Sequence, residues 1–117
     1  MLSYQHIYHA GNFADVQKHA LLIQLIRKLT AQHALLHVLD THAGRGFYDL
    51  SSAEAQKTGE HLFGITPLWQ NRRVAASGLI GDYLNALAPY NKTSALLQYP
   101  GSARIARDHL RETDTLI

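Results

Sequence analysis

The sequence predicts a mixed α/β fold of the doubly wound type, and two segments carry that prediction. A broad apolar stripe recurs at helical spacing between Phe13 and Leu29, which is typical of an amphipathic helix packed on a core. A short apolar run, Ala34–Leu39, stops at Asp40 and is followed by a glycine-rich turn, which indicates the carboxyl end of a buried strand. Elements of these two kinds in this order indicate a parallel sheet covered by helices.

Length and composition fit one small soluble domain. The chain has 117 residues, 46% of them apolar, and no run approaches the roughly 20 apolar residues that a membrane helix needs. Its amino terminus lacks the basic and then apolar layout of a secretory signal. It contains no cysteine, which excludes a disulfide framework and cysteine-ligated zinc within these residues. We therefore expect a cytoplasmic protein with no membrane partner.

Histidine is unusually frequent: eight are present, six of them before residue 43. The pI is about 9.0 and the net charge +2, which permits a nucleic-acid partner without requiring one. Crowded histidines indicate a polar site near the amino-terminal end, because histidine both forms hydrogen bonds and titrates near neutral pH. They also leave a metal hydrolase open as a hypothesis. No H-E-x-x-H motif or closely spaced carboxylate completes such a site, so we expect no metal.

The first helix has a recognisable start. Asn12 can cap it, and Asp15 lies three residues on, where the helix dipole favours an acid. The helical spacing predicts an apolar stripe of Val16, Ala20, Ile23 and Ile26, joined by Leu22, Leu25 and Leu29.

The middle of the chain is predicted to form several short helices. Ser51 or Ser52 can cap one that ends at Gly59, and another is predicted over 79–87. The helical pattern between them is expected to break at Gly64 and Pro67.

The last part of the chain is predicted to contain a turn, a helix and a strand. Residues 99–102 have the composition of a turn, and Ser102 can cap a helix over Ala103–Arg111. Asp114 is expected to break the chain before Thr115–Ile117 opens a second strand. Since only one complete strand of a parallel sheet is predicted, we expect the chain to be part of a longer protein.

The glycine-rich turn gives the strongest chemical signal. It has the sequence Asp40-Thr41-His42-Ala43-Gly44-Arg45-Gly46. Glycines at 44 and 46 are expected to let the backbone approach a ligand and adopt positive φ. Asp49 stands where a dinucleotide fingerprint needs its third glycine, so the pattern fits the cofactor loop of a methyltransferase better. A tight turn after a buried strand, with no ligand, remains an equal alternative.

Three side chains near the amino terminus have both a functional and a structural interpretation. Lys18 and His19 are adjacent on the first helix and can face a cleft beside the glycine turn, where a lysine can hold a carboxylate. A solvated lysine and a half-buried histidine are the ordinary interpretation of such a pair. Tyr4 can stack on an unpaired base or simply pack against the protein.

Several motifs occur together in a fixed order, and their combination is far more specific than any one of them. They are Met1-Leu2-Ser3-Tyr4, His9-Ala10-Gly11-Asn12, Ala14-Asp15, Lys18-His19, Leu39-Asp40-Thr41-His42-Ala43-Gly44 and Tyr99-Pro100-Gly101-Ser102. In this the chain closely resembles the RlmJ family of bacterial 23S rRNA adenine-N6 methyltransferases, which has also been labelled a protein needed to use external DNA as a nutrient. The resemblance covers the whole chain and is strongest in residues 1–46 and 98–107.

The resemblance implies a Rossmann-like S-adenosylmethionine-dependent methyltransferase fold with a helical insertion after the first strand. Residues 1–50 and 96–117 would begin the methyltransferase domain, and 51–95 would be the inserted subdomain. The fold would be incomplete in this chain. The partner implied is 23S ribosomal RNA, and we expect a monomer.

The resemblance also implies the site residues. His19, His42 and Ser102 would contact S-adenosyl-L-methionine, with Lys18, Asp40, Thr41 and Gly44 beside them. Tyr4 would bind the RNA, and we expect His6 to take part. The family's Asp-Pro-Pro-Tyr motif does not occur in these 117 residues, so no catalytic residue is assigned here and we expect these residues to be inactive alone.

The mechanism implied is direct methyl transfer without a metal, to an adenine flipped out of its stack. The alternative function is a nucleic-acid-binding protein for the uptake or catabolism of external DNA. It is motivated by the basic pI and by the older label of the family.

Overall fold

A computed structural model describes residues 4–74 and 77–117, and this part of the chain has a mixed α/β fold of short elements. The helices are α1 (Phe13–Gln32), α2 (Ala53–Thr58), α3 (Ile65–Gln70), α4 (Gly78–Leu87) and α5 (Ser102–His109). The strands are β1 (His37–Val38), β2 (Phe47–Asp49), β3 (Gln98–Pro100) and β4 (Thr115–Leu116). Short 3-10 helices occupy His6–Tyr8, Glu60–Phe63 and Ala88–Tyr90. Met1-Leu2-Ser3, the start of the first sequence motif, lies outside the described residues.

Helix α1 confirms the prediction made from its apolar period. The side chain of Asn12 accepts a hydrogen bond from the Asp15 backbone N–H at 2.9 Å, which caps the helix. The predicted stripe residues Val16, Ala20, Ile23 and Ile26 are all buried, and Leu22 and Leu29 are partly buried. Leu25 is 54% exposed, so the predicted stripe is too broad at this position. The helix continues to Gln32, three residues beyond the predicted stripe, because the residues after Leu29 contain no helix breaker.

Strands β1 and β4 form a parallel pair in which His37 lies opposite Thr115 and Val38 opposite Leu116. The second strand predicted at 115–117 is therefore confirmed. The buried strand predicted over 34–39 is wrong in both length and burial: β1 has two residues, and Leu35 and Leu39 are 52% and 65% exposed. Within the described ranges β1 pairs with β4 alone, so its apolar side chains are only partly covered.

A buried acid joins the end of α5 to the β1–β4 pair. Asp114 accepts hydrogen bonds from the Leu36 N–H at 2.9 Å and from the Arg111 guanidinium at 3.0 Å. Arg111 also donates to the carbonyl groups of Thr30 and His33 at the end of α1. Asp114 was expected only to break the chain, whereas in the structure its carboxylate organises the junction.

Asp114 should make the stability of this junction depend on acid pH. The Arg111 hydrogen bond, followed by smaller backbone contributions, lowers the pKa of Asp114 from 3.8 to about 2. The ionised form therefore contributes stability above about pH 4, and this contribution is lost as the pH falls towards 2. We expect the unfolding midpoint to fall more steeply between pH 4 and pH 2 in the natural protein than in Asp114→Asn. Parallel midpoint curves for the two proteins would contradict this assignment.

Strands β2 and β3 pair antiparallel, with Phe47 opposite Pro100 and Tyr48 opposite Tyr99. This pair contradicts the predicted turn at 99–102, since Tyr99 and Pro100 are strand residues. Proline is tolerated in a strand of a two-stranded pair because its missing N–H need not join a second ladder. The predicted cap is also wrong: Gly101 is the N-cap of α5, and Ser102 is its first residue.

The short helices between β2 and β3 match most of the predicted boundaries. The Ser52 side chain caps α2, accepting a hydrogen bond from the Ala55 N–H at 3.2 Å, and Gly59 ends it with a φ of 62°. Helix α4 begins one residue before the predicted 79–87. Pro67 does not break the helical pattern, because it lies in the first turn of α3, where backbone N–H groups lack helical partners.

One hydrophobic core joins the helices to the β2–β3 pair. It includes Ile23 from α1, Trp69 from α3, Tyr83 from α4, Tyr99 from β3 and Ile105 from α5. Because residues of 51–95 share this core with α1, the division into an outer domain and an inserted subdomain stays a prediction. Across the described ranges, no helix combines the length and apolar character required to cross a membrane.

Candidate functional site

A cavity of about 560 Å³ lies between the amino-terminal segment, α1, the turn after β1 and the start of α5. The first two parts are adjacent in sequence, whereas the turn after β1 and the start of α5 are distant from them and from each other. The predicted site residues that line this cavity are Tyr4, His6, Lys18, His19, His42, Gly44 and Ser102.

Asp40 and Thr41 lie behind this cavity rather than on it. Asp40 Oδ2 accepts a hydrogen bond from the Ser102 hydroxyl at 2.7 Å, and Oδ1 accepts one from the His42 N–H at 3.2 Å. Asp40 therefore ties the glycine turn to the first residue of α5. Asp40 and Thr41 line a second, mainly apolar cavity of about 700 Å³, which Lys18 and Ser102 also border.

His19 is fully buried, which rules out the half-buried interpretation. Its Nδ1 lies 3.2 Å from the Tyr83 hydroxyl and 3.1 Å from the Tyr99 hydroxyl, and these two hydroxyls are 2.5 Å apart. Burial, partly offset by the charge of Asp15, lowers the pKa of His19 to about 4. The imidazole is therefore neutral at physiological pH.

A chain of hydrogen bonds holds the amino-terminal wall. The Tyr4 hydroxyl lies 2.6 Å from His6 Nδ1, and His6 Nε2 lies 2.6 Å from Asp15 Oδ2. The same Asp15 oxygen accepts the Gly11 N–H at 3.0 Å. Both ring nitrogens of His6 are thus engaged within the protein. Tyr4 is 71% exposed and stacks on His9, with ring centroids 5.3 Å apart and planes 3° from parallel.

Opposing effects act on the carboxyl group of Asp15. Desolvation, the largest single effect, raises its pKa, but the His6 hydrogen bond, the nearby histidine charges and the Gly11 N–H together outweigh it. The pKa of Asp15 is therefore lowered from its ordinary value, and the buried carboxylate is ionised at neutral pH.

Comparison with known proteins identifies the family. Residues 33–117 match the family model described as ribosomal RNA large subunit methyltransferase D, RlmJ. The chain belongs to this family.

Two curated relatives and one solved structure show how far the RlmJ similarity extends. The chain is 45% identical over 116 residues to ribosomal RNA large subunit methyltransferase J of Escherichia coli (strain K12), covering 99% of this chain and 41% of that protein. It is 41% identical over 115 residues to the protein of the same name from Haemophilus influenzae (strain ATCC 51907 / DSM 11121 / KW20 / Rd), covering 97% and 40%. The chain thus spans about two fifths of the curated relatives it matches.

The solved structure is a protein of Legionella pneumophila str. Philadelphia 1, assigned to the family DUF519. It matches with a TM-score of 0.81 at 41% identity, covering 92% of this chain and 39% of that one.

The positive φ predicted for the glycines of the RlmJ-family turn is wrong, whereas their predicted close approach to a ligand stays a prediction. Positive φ among the described glycines occurs at 11, 59 and 78, and not at Gly44 or Gly46. A Cβ on Gly44 would instead collide with the Tyr48 hydroxyl, which accepts the Arg45 N–H at 3.1 Å. Gly44 is therefore needed for close packing, whereas Gly46 has open space around it.

Four residues that support the walls of this cavity were not proposed as site residues from the sequence: Asp15, Tyr48, Tyr83 and Tyr99. Asp15 was identified as a favourable acid near a helix start and as part of a motif of the resemblance, but not as a partner of His6. Tyr99 lies in a motif of the resemblance, but its contact with His19 joins residues far apart in the chain. No group of three or more potential metal ligands is assembled in the described ranges.

Proposed function

We propose that this chain forms part of the cofactor site of a cytoplasmic, S-adenosylmethionine-dependent methyltransferase that N6-methylates an adenine of 23S ribosomal RNA. The fold proposed for the complete protein is Rossmann-like, with residues 51–95 inserted as a helical subdomain. The observation that carries the proposal is the convergence of Lys18, His19, His42, Gly44 and Ser102 on one cavity after β1. The names of the curated relatives supply the reaction class and the RNA substrate.

The cavity suits a ligand of this kind in size and polarity. Its volume of about 560 Å³ lies within the range of small-molecule and cofactor sites. Lys18 would offer a charge-assisted hydrogen bond to the cofactor's carboxylate. The Asp40–Ser102 hydrogen bond would hold the glycine turn and α5 at a fixed spacing around it.

The cofactor supplies the methyl group, and the residues of this chain would bind and orient it. Orientation of two reactants can supply a large part of the acceleration of a group transfer. The RNA would approach from the amino-terminal wall, where Tyr4 is exposed and His6 holds its hydroxyl. Because one face of the Tyr4 ring is stacked on His9, an unpaired base would meet the other face.

Lys18→Met should weaken binding of S-adenosylmethionine to the complete protein by about 10- to 100-fold, the value of one charge-assisted hydrogen bond. The matched control is Lys28→Met, since Lys28 lies on the same helix but borders only the second cavity. Isothermal titration calorimetry measures the affinity of both variants for S-adenosylmethionine. Equal losses of affinity in the two variants would contradict a specific role for Lys18.

The function itself is tested by methyl transfer from labelled S-adenosylmethionine to 23S ribosomal RNA, with the product identified as N6-methyladenine after digestion. We expect transfer by the complete protein. The alternative role in the use of external DNA predicts a different result. It would be supported if the protein failed to bind the cofactor and bound DNA in a salt-sensitive way that the cofactor did not change.

A further inference from the structure

We propose that Tyr83 and Tyr99 are positioning residues that hold His19 in a single tautomer, with Nδ1 as an acceptor and Nε2–H as a donor towards the cavity. His19 Nε2 would then bind only acceptor atoms of a ligand. The identity of the ligand rests on the proposed function, whereas the tautomer does not.

The geometry confines three polar atoms in a closed triangle. His19 Nδ1 lies 3.2 Å and 3.1 Å from the two tyrosine hydroxyls, which lie 2.5 Å from each other. Both tyrosine side chains are fully buried. Neither hydroxyl has a hydrogen-bond partner outside the triangle in the described part of the chain.

Counting protons within the triangle decides the tautomer. If Nδ1 accepts, one tyrosine donates to Nδ1 and the second donates to the first, so both hydroxyl protons are satisfied. If Nδ1 carries the proton, it donates to one hydroxyl, which donates to the second, and the second hydroxyl is left with no acceptor. A buried donor without a partner is costly, so the first arrangement is favoured.

All three groups are neutral, as this count requires. Burial lowers the pKa of His19, and the charge of Lys18 acts in the same direction while that of Asp15 opposes it. Burial likewise raises the pKa of both tyrosines above the ordinary value of 10.0. An imidazolium would bring a third proton into the triangle and leave the same hydroxyl without an acceptor.

The consequence for a ligand follows from the position of His19 on the cavity wall. Because Nδ1 is engaged by the tyrosines, Nε2 is the nitrogen left for a ligand, and in this tautomer it donates. Lys18, the preceding residue, borders the same cavity and also only donates. Lys18 and His19 Nε2 are therefore matched to carboxylate, hydroxyl or ring-nitrogen acceptors, whereas the ionised Asp15, which lines the same cavity, can only accept.

The tautomer is measured directly by long-range ¹H–¹⁵N NMR of the histidine rings in the complete, ligand-free protein, with the His19 signals assigned by their loss in His19→Gln. The expected pattern is a protonated Nε2 and an unprotonated Nδ1. A protonated Nδ1 would overturn the proposal. The predicted tautomer together with no binding of S-adenosylmethionine would leave this inference standing and remove the proposed function.

Phenylalanine variants test whether the tyrosines set the tautomer. Tyr83→Phe or Tyr99→Phe alone leaves one hydroxyl to donate to Nδ1, so the tautomer should persist and cofactor affinity should fall by about threefold or less. The double variant removes both donors, so the two tautomers should become mixed. Affinity should then fall further than in either single variant, by at least the roughly twofold factor of an equal mixture.

Tyr90→Phe is the matched control, since Tyr90 bonds to Asp108 and Arg104 away from His19. Thermal unfolding of each variant provides the measure of folding. A double variant that folds, keeps the single tautomer and binds the cofactor normally would overturn the positioning role.

Discussion

Replacing Gly64 with alanine should lower the free energy of unfolding by about 3 kcal/mol or more, the range of severe overpacking against a rigid neighbour. A Cβ at position 64 would meet backbone atoms of Gly11 and Asn12, with the Asn12 carbonyl carbon only 2.7 Å away. That backbone cannot move freely, because Gly11 O accepts the Ile65 N–H at 2.9 Å and Asn12 caps α1. Gly11 itself has a φ of 77°, so the neighbouring segment is already in a conformation that favours glycine.

Urea denaturation of the complete protein measures this effect, and Gly46→Ala is its control. A Cβ on Gly46 would have no atom within 4 Å, and its φ is not positive. The control should therefore change stability by less than about 1 kcal/mol. If the two variants lost similar amounts of unfolding free energy, the close contact at Gly64 would not be the cause of the destabilisation.

Asp15→Ala should have the second largest effect, a loss of about 2–4 kcal/mol of stability. The substitution removes the acceptor of the buried Gly11 N–H and the partner of His6, and deletes an acid from the first turn of α1. Because the pKa of Asp15 is lowered in the folded protein, its contribution is present above the pKa of the unfolded chain and is lost as the pH falls through the lower, folded value. The stability difference between the natural protein and Asp15→Ala should therefore shrink in acid.

Two further variants distinguish the effect of the Asp15 charge from the effect of removing an acid at the surface. Glu112→Ala removes an exposed acid and should change stability by less than about 0.5 kcal/mol. Asp15→Asn keeps one acceptor oxygen without the charge and should fall between the natural protein and alanine. Chemical denaturation monitored by circular dichroism measures the free energy of unfolding of the three variants. A loss no larger than that of Glu112→Ala would show that the buried network does not stabilise the amino-terminal wall.

Local patterns were sufficient for most helices. The period of α1, its Asn12 cap and the Gly59 stop of α2 each act within a few residues, so the sequence states them directly. Pro67 misled the prediction because the effect of proline depends on its position within a helix.

The strands were harder to predict, because their partners lie far along the chain. Phe47–Asp49 is too short to show an alternating pattern, and its partner begins at Gln98. The Pro-Gly pair at 100–101 has turn composition, although in the structure it ends a strand and caps a helix. The predicted strand before Asp40 had the right location and direction, but its burial depends on neighbours that no local pattern describes.

In the candidate site, too, local features could be predicted and contacts between distant residues could not. The glycine turn and the Lys18-His19 pair were found from residue type and from the family resemblance, and the structure gives them a common cavity. The contacts of His19 with Tyr83 and Tyr99 span 64 and 80 positions, so only a folded chain reveals them. The side-chain bond between Asp40 and Ser102 spans 62 positions and was hidden for the same reason.

The antiparallel β2–β3 pair also indicates where the chain can accept inserted residues. Because Leu50 N–H bonds to Leu97 O at 2.8 Å, the chain leaves the β-pair and returns to it at a single point. Insertions confined to exposed connections between these strands would cost mainly loop-closure entropy, about 0.6 kcal/mol per doubling of a flexible loop. Changes within α3 or α4 would instead disturb the core, which contains Trp69 and Tyr83. An exposed connection such as residues 92–93, which precede the Ser94 carbonyl that accepts the Trp69 indole N–H, is therefore a place where a tag or reporter can be grafted while the Asp40–Ser102 link stays intact.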